Sequence, residues 1–249
     1  MNAQTLLDVQ GLHKHFGGVV ASDGVELQVR AGEVHALIGP NGAGKTTLVA
    51  QLAGQLAPDR GRIVFDGRDI TGLRAHRRAR LGLARSFQIT RLFASFCVLE
   101  HIALALQAAS GPSIGAWRPV SGEAQLFERA RALLPRLGLD AHVGAPIHTL
   151  SHGQRRALEV GMAVAAGPRL LLLDEPMAGL GADESPRMEA LIQSLRHDAA
   201  LLLIEHDVDA VFRLADRVSV LVGGRIIASG KPDDVRRDTQ VIAAYLGQE

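Results

Sequence analysis

Gly39-Pro-Asn-Gly-Ala-Gly-Lys-Thr46 follows the apolar run Val34-His-Ala-Leu-Ile38 and leads into Thr47-Leu-Val-Ala50. The pattern predicts a strand, a tight loop and a helix in that order. This is the setting of a phosphate-binding P-loop, G-x-x-x-x-G-K-[ST]. Glycines let the backbone curl so that successive N–H groups converge on phosphate oxygens. The start of the following helix adds its unpaired N–H groups and the positive end of its dipole. The candidate nucleotide-binding residues are therefore Gly39, Pro40, Asn41, Gly42, Ala43, Gly44, Lys45, Thr46 and Thr47. Lys45 can extend to the β- and γ-phosphates, and the Thr46 hydroxyl can bind Mg²⁺. A chance Gly-rich turn is the competing reading, because the chain holds 27 glycines. Against it, only Lys14, Lys45 and Lys231 are lysines, and one of them stands where the site needs a compact point charge. The chain is expected to bind a nucleoside triphosphate.

A length of 249 residues suits one large α/β domain or a core with a subdomain, and 47% hydrophobic residues are ample for a buried core. No apolar run approaches the roughly 18 residues needed to span a bilayer. Leu170–Leu173 and Leu201–Ile204 are of strand length. No basic segment followed by an apolar one opens the sequence, so export is not expected. The single cysteine, Cys97, cannot form an internal disulfide and is compatible with a reducing cytosol. A formal charge of +1 gives no reason to invoke nucleic acid. These features predict a soluble, cytosolic chain.

From Gln4 to Phe65 the sequence reads as short strands joined by turns: Leu6–Val9, Val25–Val29, Val34–Ile38 and Arg62–Phe65. The helix after Lys45 is expected to reach about Ala53, and Arg74–Arg80 reads as a short basic helix with a solvated face. The middle, roughly Gln88 to Ala166, loses β character; Val98–Ala109 and Glu123–Leu137 have helical spacing. A Gly/Pro/Ser loop carrying Trp117 lies between them, and the lone tryptophan is read as covering a local apolar patch. Beyond Leu170, strands and helices alternate, which predicts a largely parallel sheet covered on both faces, with the helical middle inserted as a subdomain. The histidines show no metal-ligand spacing, and no structural zinc is expected.

Two further segments carry chemistry. Leu170-Leu-Leu-Leu-Asp-Glu175 is a buried apolar strand ending in two acids, which puts carboxylates at the sheet edge where open α/β sheets bind ligands. Asp174 can hold Mg²⁺ there, and Glu175 can polarise an attacking water as general base. Leu150-Ser-His-Gly-Gln-Arg155 precedes a helical run; Ser151 is a good N-cap, and Gly153 allows close backbone approach to a ligand.

Together these segments resemble the nucleotide-binding subunit of an ATP-binding cassette (ABC) transporter, over essentially the whole chain. Leu150–Gln154, with Ser151, Gly153 and Gln154, is similar to that family's LSGGQ signature. Ser86-Phe-Gln-Ile-Thr90 is similar to its Q-loop, with Gln88 as the residue that would sense Mg²⁺ and contact membrane subunits. The switch histidine corresponds to His206, the D-loop to Met177-Ala-Gly-Leu-Gly181, and the adenine-stacking aromatic to Phe16. The segments Phe87–Phe93, Val98–Ile102, Arg155–Glu159 and Val241–Gly247 resemble the branch that serves importers of branched-chain amino acids and related solutes. Two departures stand out: His152 replaces the first glycine of the signature, a change expected to alter its outer surface, and Gly181 stands where the D-loop often carries Asp or Asn.

The resemblance implies an α/β P-loop cassette with a mostly parallel core sheet, an antiparallel β subdomain and an inserted helical subdomain. Residues 1–87 and 167–249 would form the core with the antiparallel sheet, and 88–166 the helical part. It further implies ATP and Mg²⁺ as cofactors, with Thr46, Gln88 and Asp174 toward the metal and Glu175, His206 and Gln88 in catalysis. The implied partners are a second cassette, two transmembrane permeases and, indirectly, a solute-binding protein, on the cytoplasmic face of the membrane. An ABC ATPase for lipid or lipopolysaccharide extraction is the alternative, since it would share every motif around the nucleotide.

Overall fold

The computed structural model describes residues 4–86, 92–109 and 124–246. In chain order, β1 (Thr5–Phe16) and β2 (Val19–Arg30) lead to β3 (Val34–Ile38) and α1 (Lys45–Leu52). Then come β4 (Arg60–Phe65), β5 (Arg68–Asp69), α2 (Ala75–Arg80) and β6 (Leu83–Arg85). The helical middle contains α3 (Val98–Ala109), α4 (Ala124–Leu133) and α5 (His152–Ala165). The chain then alternates through β7 (Leu170–Asp174), α6 (Ser185–Leu195), β8 (Ala200–Ile204), α7 (Val208–Leu214) and β9 (Arg217–Val222). It closes with β10 (Arg225–Gly230), α8 (Pro232–Arg236) and α9 (Thr239–Leu246).

The strands form a six-stranded sheet, order β10-β9-β3-β8-β7-β6, and a four-stranded sheet, order β2-β1-β4-β5. In the larger sheet β9, β3, β8, β7 and β6 pair in parallel and β10 runs antiparallel along one edge. The smaller sheet is antiparallel throughout. Alternation along the central strands sorts their side chains onto two faces. Leu171, Leu173, Leu201 and Leu203 pack with residues of α3, α5, α6 and α7. Leu170, Leu172, Leu202 and Ile204 pack with Leu48 and Leu52 of α1 and with Leu7, Val9, Ile63 and Phe65 of the antiparallel sheet. Each fully buried leucine contributes about 1.5–3 kcal/mol. Both faces of the parallel sheet are thus covered, one by helices and the other by α1 and the second sheet.

The structure departs from the sequence expectation in several places. Strands β1 and β2 are 12 residues each, much longer than Leu6–Val9 and Val25–Val29. Register shifts between Val9 and Leu12 and between Lys14 and His15 break the alternation a strand should show. The outer end of this ribbon is exposed, including Phe16, Val19 and Val20, so apolar burial does not mark it. Strand β6 has only three residues and carried no periodic signal. Pro135 ends the helix expected over 123–137, and Pro135–Leu137 forms a separate 3-10 turn.

The basic helix also differs. Arg78 of α2 is 1% exposed rather than part of a solvated face. Its guanidinium donates to the carbonyls of Leu73 at 2.8 Å, Gln51 and Leu52 at 2.8 Å each, and Thr71 at 2.9 Å. Gln51 and Leu52 lie at the C-terminal end of α1, whose last carbonyls have no partner within the helix. Arg78 therefore caps the P-loop helix from outside. Burial lowers its pKa to about 10, which still leaves it charged at neutral pH.

Within β3, His35 is fully buried, with Nε2 2.8 Å from Ser219 Oγ. Desolvation, aided by the Arg217 charge, pulls its pKa down to about 4.

Two measurements test these assignments. Arg78→Leu should destabilise the protein by about 2–4 kcal/mol, because it strands carbonyls that only a guanidinium fork reaches together. Arg78→Lys should not restore the loss in denaturant unfolding. For His35, the folded-state pKa lies below the unfolded value, so the unfolded chain binds the extra proton between pH 6.5 and about 4. Stability should therefore fall as pH drops through that window, by up to about 1.4 kcal/mol per unit. His35→Gln should flatten the slope; parallel urea-midpoint curves for both proteins would refute the assignment.

Candidate nucleotide site

The P-loop joins β3 to α1 at the C-terminal edge of the parallel sheet. Gly44 has φ +104°, and a Cβ there would lie 2.2 Å from the Ala21 carbonyl oxygen, so the loop passes too close to β2 for any side chain. It also leaves the first turn of α1 without a capping side chain. Lys45 is buried, and its Nζ donates back to the carbonyls of Gly39 at 2.5 Å and Pro40 at 3.0 Å. Burial pulls its pKa below the ordinary value, while the Glu175 and Asp174 carboxylates pull the other way. Asn41, Gly42 and Thr46 are exposed, Pro40, Gly44 and Thr47 half-buried, and Ala43 buried.

Because β8 lies between β3 and β7, the two acids and the histidine arrive beside this loop. Asp174 pairs in register with Ile204 and is 2% exposed. Its Oδ2 accepts from Arg85 Nη2 at 2.5 Å, and Arg85 also donates to Gln55 Oε1. Glu175 turns the chain out of the sheet with φ +49°, a left-handed conformation that costs a non-glycine residue about 1–3 kcal/mol. Its N–H donates to the Ile204 carbonyl at 2.8 Å, and its own carbonyl accepts from Arg156 Nη2 at 2.6 Å. His206 Nε2 stands 2.7 Å from Glu175 Oε1; a carboxylate only accepts, so the imidazole carries its proton on Nε2.

Beneath them, buried Glu205 accepts from the Met177 N–H at 2.8 Å and the His206 N–H at 3.2 Å. Burial raises its pKa, and those backbone donors oppose the rise. Glu205 fixes the backbone of the segment after Glu175 relative to His206.

The signature helix α5 starts with a capping box. Ser151 Oγ accepts from the Gln154 N–H at 3.2 Å, and Gln154 Oε1 accepts from the Ser151 N–H at 2.9 Å. The Gln154 side chain is thus engaged in holding the helix start. Ser151 Oγ donates to Glu184 Oε1 at 2.6 Å, and the Gly153 N–H donates to the same oxygen at 3.0 Å. His152 Nε2 lies 3.2 Å from the Ala178 carbonyl, so it links the signature to the D-loop instead of only altering an outer surface.

Of the remaining sequence candidates, Phe16 is 50% exposed near the end of the β1–β2 ribbon, with Lys14 Nζ 5.6 Å from its ring centre. Gln88 and Trp117 lie outside the described residues. Sequence reasoning missed Arg85, Arg156, Glu184 and Glu205. A charged residue at the end of an apolar strand was the available signal for Arg85 and Glu205; Arg156 entered only within the segment Arg155–Glu159, without a role, and nothing local marked Glu184.

Residues 22–178 match the ABC transporter family. The chain belongs to that family. Residues 225–249 match the branched-chain amino acid ATP-binding cassette transporter family. Over 255 residues, and 99% of both chains, the cassette is 39% identical to the high-affinity branched-chain amino acid transport ATP-binding protein LivG of Salmonella typhimurium. It is 35% identical over 245 residues, 98% of both chains, to the lipopolysaccharide export system ATP-binding protein LptB of Acidithiobacillus ferridurans. Among solved structures it superposes on the ADP conformation of the cassette MJ1267 with a TM-score of 0.88 and 31% identity, over 98% of this chain and 100% of that one.

The donor set of this cassette fits Mg²⁺. Thr46 and Asp174 offer the hard oxygen ligands that the ion takes. The buried Asp174 carboxylate already accepts a cationic partner, the Arg85 guanidinium.

Lys45→Ala should raise the dissociation constant for ATP by roughly 10- to 100-fold, the loss of one charge-assisted contact to phosphate. An unchanged constant in equilibrium binding would contradict the P-loop assignment.

Proposed function

We propose that this cassette is the ATP-binding and ATP-hydrolysing subunit of an importer for branched-chain amino acids or related solutes. The observation that carries the ATPase reading is the 2.7 Å bond between His206 and Glu175 at the strand ends beside Lys45. The match of residues 225–249 supports the amino-acid branch over lipopolysaccharide extraction.

In this reading two cassettes pack head to tail, each ATP lying between Gly39–Thr47 of one subunit and Ser151, His152 and Gly153 of the other. Phe16 stacks on adenine, and Lys45 with the loop N–H groups holds the phosphates. Thr46 and Asp174, with Gln88 from the resemblance, would hold Mg²⁺, which when bound would supply neutralisation of phosphate charge. Glu175 takes a proton from the water that attacks the γ-phosphorus as the bond to the ADP oxygen breaks. His206, donating from Nε2, orients that carboxylate. Closure of the dimer and its reopening after hydrolysis would rock two transmembrane permeases, fed by a solute-binding protein, with the cassette peripheral on the cytoplasmic face.

Glu175→Gln should keep ATP binding and lose about 10²- to 10⁴-fold in turnover; near-normal hydrolysis would remove Glu175 from the role. The same variant, tagged and recovered with ATP and Mg²⁺ from solubilised native membranes, should bring down two polytopic permeases by mass spectrometry. Recovery of lipid-extraction components, or of soluble partners alone, would keep the ATPase and overturn the importer.

A further inference from the structure

The Glu184 side chain lies against the signature, and neither the motif pattern nor the hydrolysis mechanism uses it. It sits just before α6, and its carboxylate gathers three donors from two separate segments. Oε1 accepts from Ser151 Oγ at 2.6 Å and from the Gly153 N–H at 3.0 Å; Oε2 receives a longer contact from the Gly181 N–H at 3.4 Å. Gly153 is shaped around it, since a Cβ there would lie 2.7 Å from Glu184 Cδ. A hydroxyl, a helix-start N–H and a D-loop N–H converging on one negatively charged group is how proteins bind a phosphate oxygen.

We propose that the Glu184 carboxylate is an internal occupant of the signature's phosphate subsite and must leave for the partner's ATP to enter it. The inference rests on the reading that Ser151 and Gly153 contact the γ-phosphate of a nucleotide bound to the opposite subunit. Ser151 has one hydroxyl proton and Gly153 one N–H, so neither can serve the carboxylate and a phosphate oxygen fully at once. Two anions sharing these donors would also repel each other. The Ser151 hydrogen bond, followed by that of Gly153, holds the Glu184 pKa below its ordinary value, so at neutral pH the competitor is charged.

Displacing Glu184 has a second consequence. The same carboxylate ties the start of α5 to Gly181, where the usual D-loop side chain is missing. Entry of the partner's phosphate therefore removes the Glu184 tie between the signature and Gly181 within one subunit and leaves the contact of His152 with the Ala178 carbonyl as their remaining described link. Glu184 makes closure of the dimer harder and couples that closure to movement of the D-loop.

The test uses the full chain in the Glu175→Gln background, where ATP-driven dimers accumulate. Dimer fraction is followed by analytical ultracentrifugation against ATP concentration, normalised to the ATP affinity measured on each protein. Glu184→Gln, which keeps the shape and removes the charge, should lower the ATP needed for half-dimerisation by roughly tenfold. Glu184→Asp, too short to reach both donors, provides a second variant should the first fold poorly, and it should shift in the same direction. If Glu184 only braces the fold, both substitutions should leave the midpoint unmoved or raise it, and either result overturns the proposal. Ser151→Arg is the control for the underlying reading. Loss of the ATP-driven dimer in this variant supports the signature's contact with the partner's nucleotide. Persistence of a normal dimer overturns that reading, and the Glu184 proposal with it, independently of the Glu184 variants.

Discussion

Strand β8 pairs in parallel with β3 on one side and β7 on the other, and the chemistry of this cassette is a consequence of that pairing. Parallel strands end on the same edge, so the P-loop after β3, the acids at the end of β7 and the histidine after β8 are delivered to one line. The register is specific: Asp174 stands opposite Ile204, and the Glu175 N–H reaches the carbonyl of that same residue. A slip of one position would turn every leucine of these strands to the opposite face. The two hydrophobic clusters on either side therefore fix the site as firmly as they fix the sheet. Arg78, locking the far end of α1 to the segment around α2, extends that rigidity to the phosphate loop.

Charge pairing explains the arrangement at the strand ends. A buried ionised group without a partner is costly, so the chain supplies partners from its own residues. Lys45 bonds the carbonyls of its own loop, Asp174 is held by Arg85, and Glu184 takes the donors of the signature. In the proposed mechanism Lys45 and Asp174 would exchange these internal partners for phosphate and metal, while Ser151 and Gly153 would exchange Glu184 for phosphate, so ligand binding would replace contacts and not simply add to them. Affinity then reflects a difference between two satisfied arrangements. Glu205 and Arg156 tie backbone around that exchange: Glu205 joins Met177 to His206, and Arg156 joins α5 to the Glu175 carbonyl.

The sequence by itself determined the P-loop, the acidic strand end, the order of strands and helices beyond Leu170, and the family to which the chain belongs. These are local features: a loop that curls on glycines, a strand that must be apolar to be buried, a helix that repeats every 3.6 residues. Their legibility failed where burial no longer alternates. The bulged, exposed ribbon around Phe16 and the three-residue β6 are defined by hydrogen bonding to distant strands, which no window of sequence contains. The tertiary structure alone decided the partners of the charged side chains. Arg78 looked like one member of a solvated basic run until its four carbonyls were brought around it from two segments. Glu184 lies 31 residues from Gly153 and 33 from Ser151 in the chain, and only the packing of α6 beside α5 brings its carboxylate to them. Pattern reports which residues are buried; long-range geometry decides which donor each buried or half-buried charge will meet.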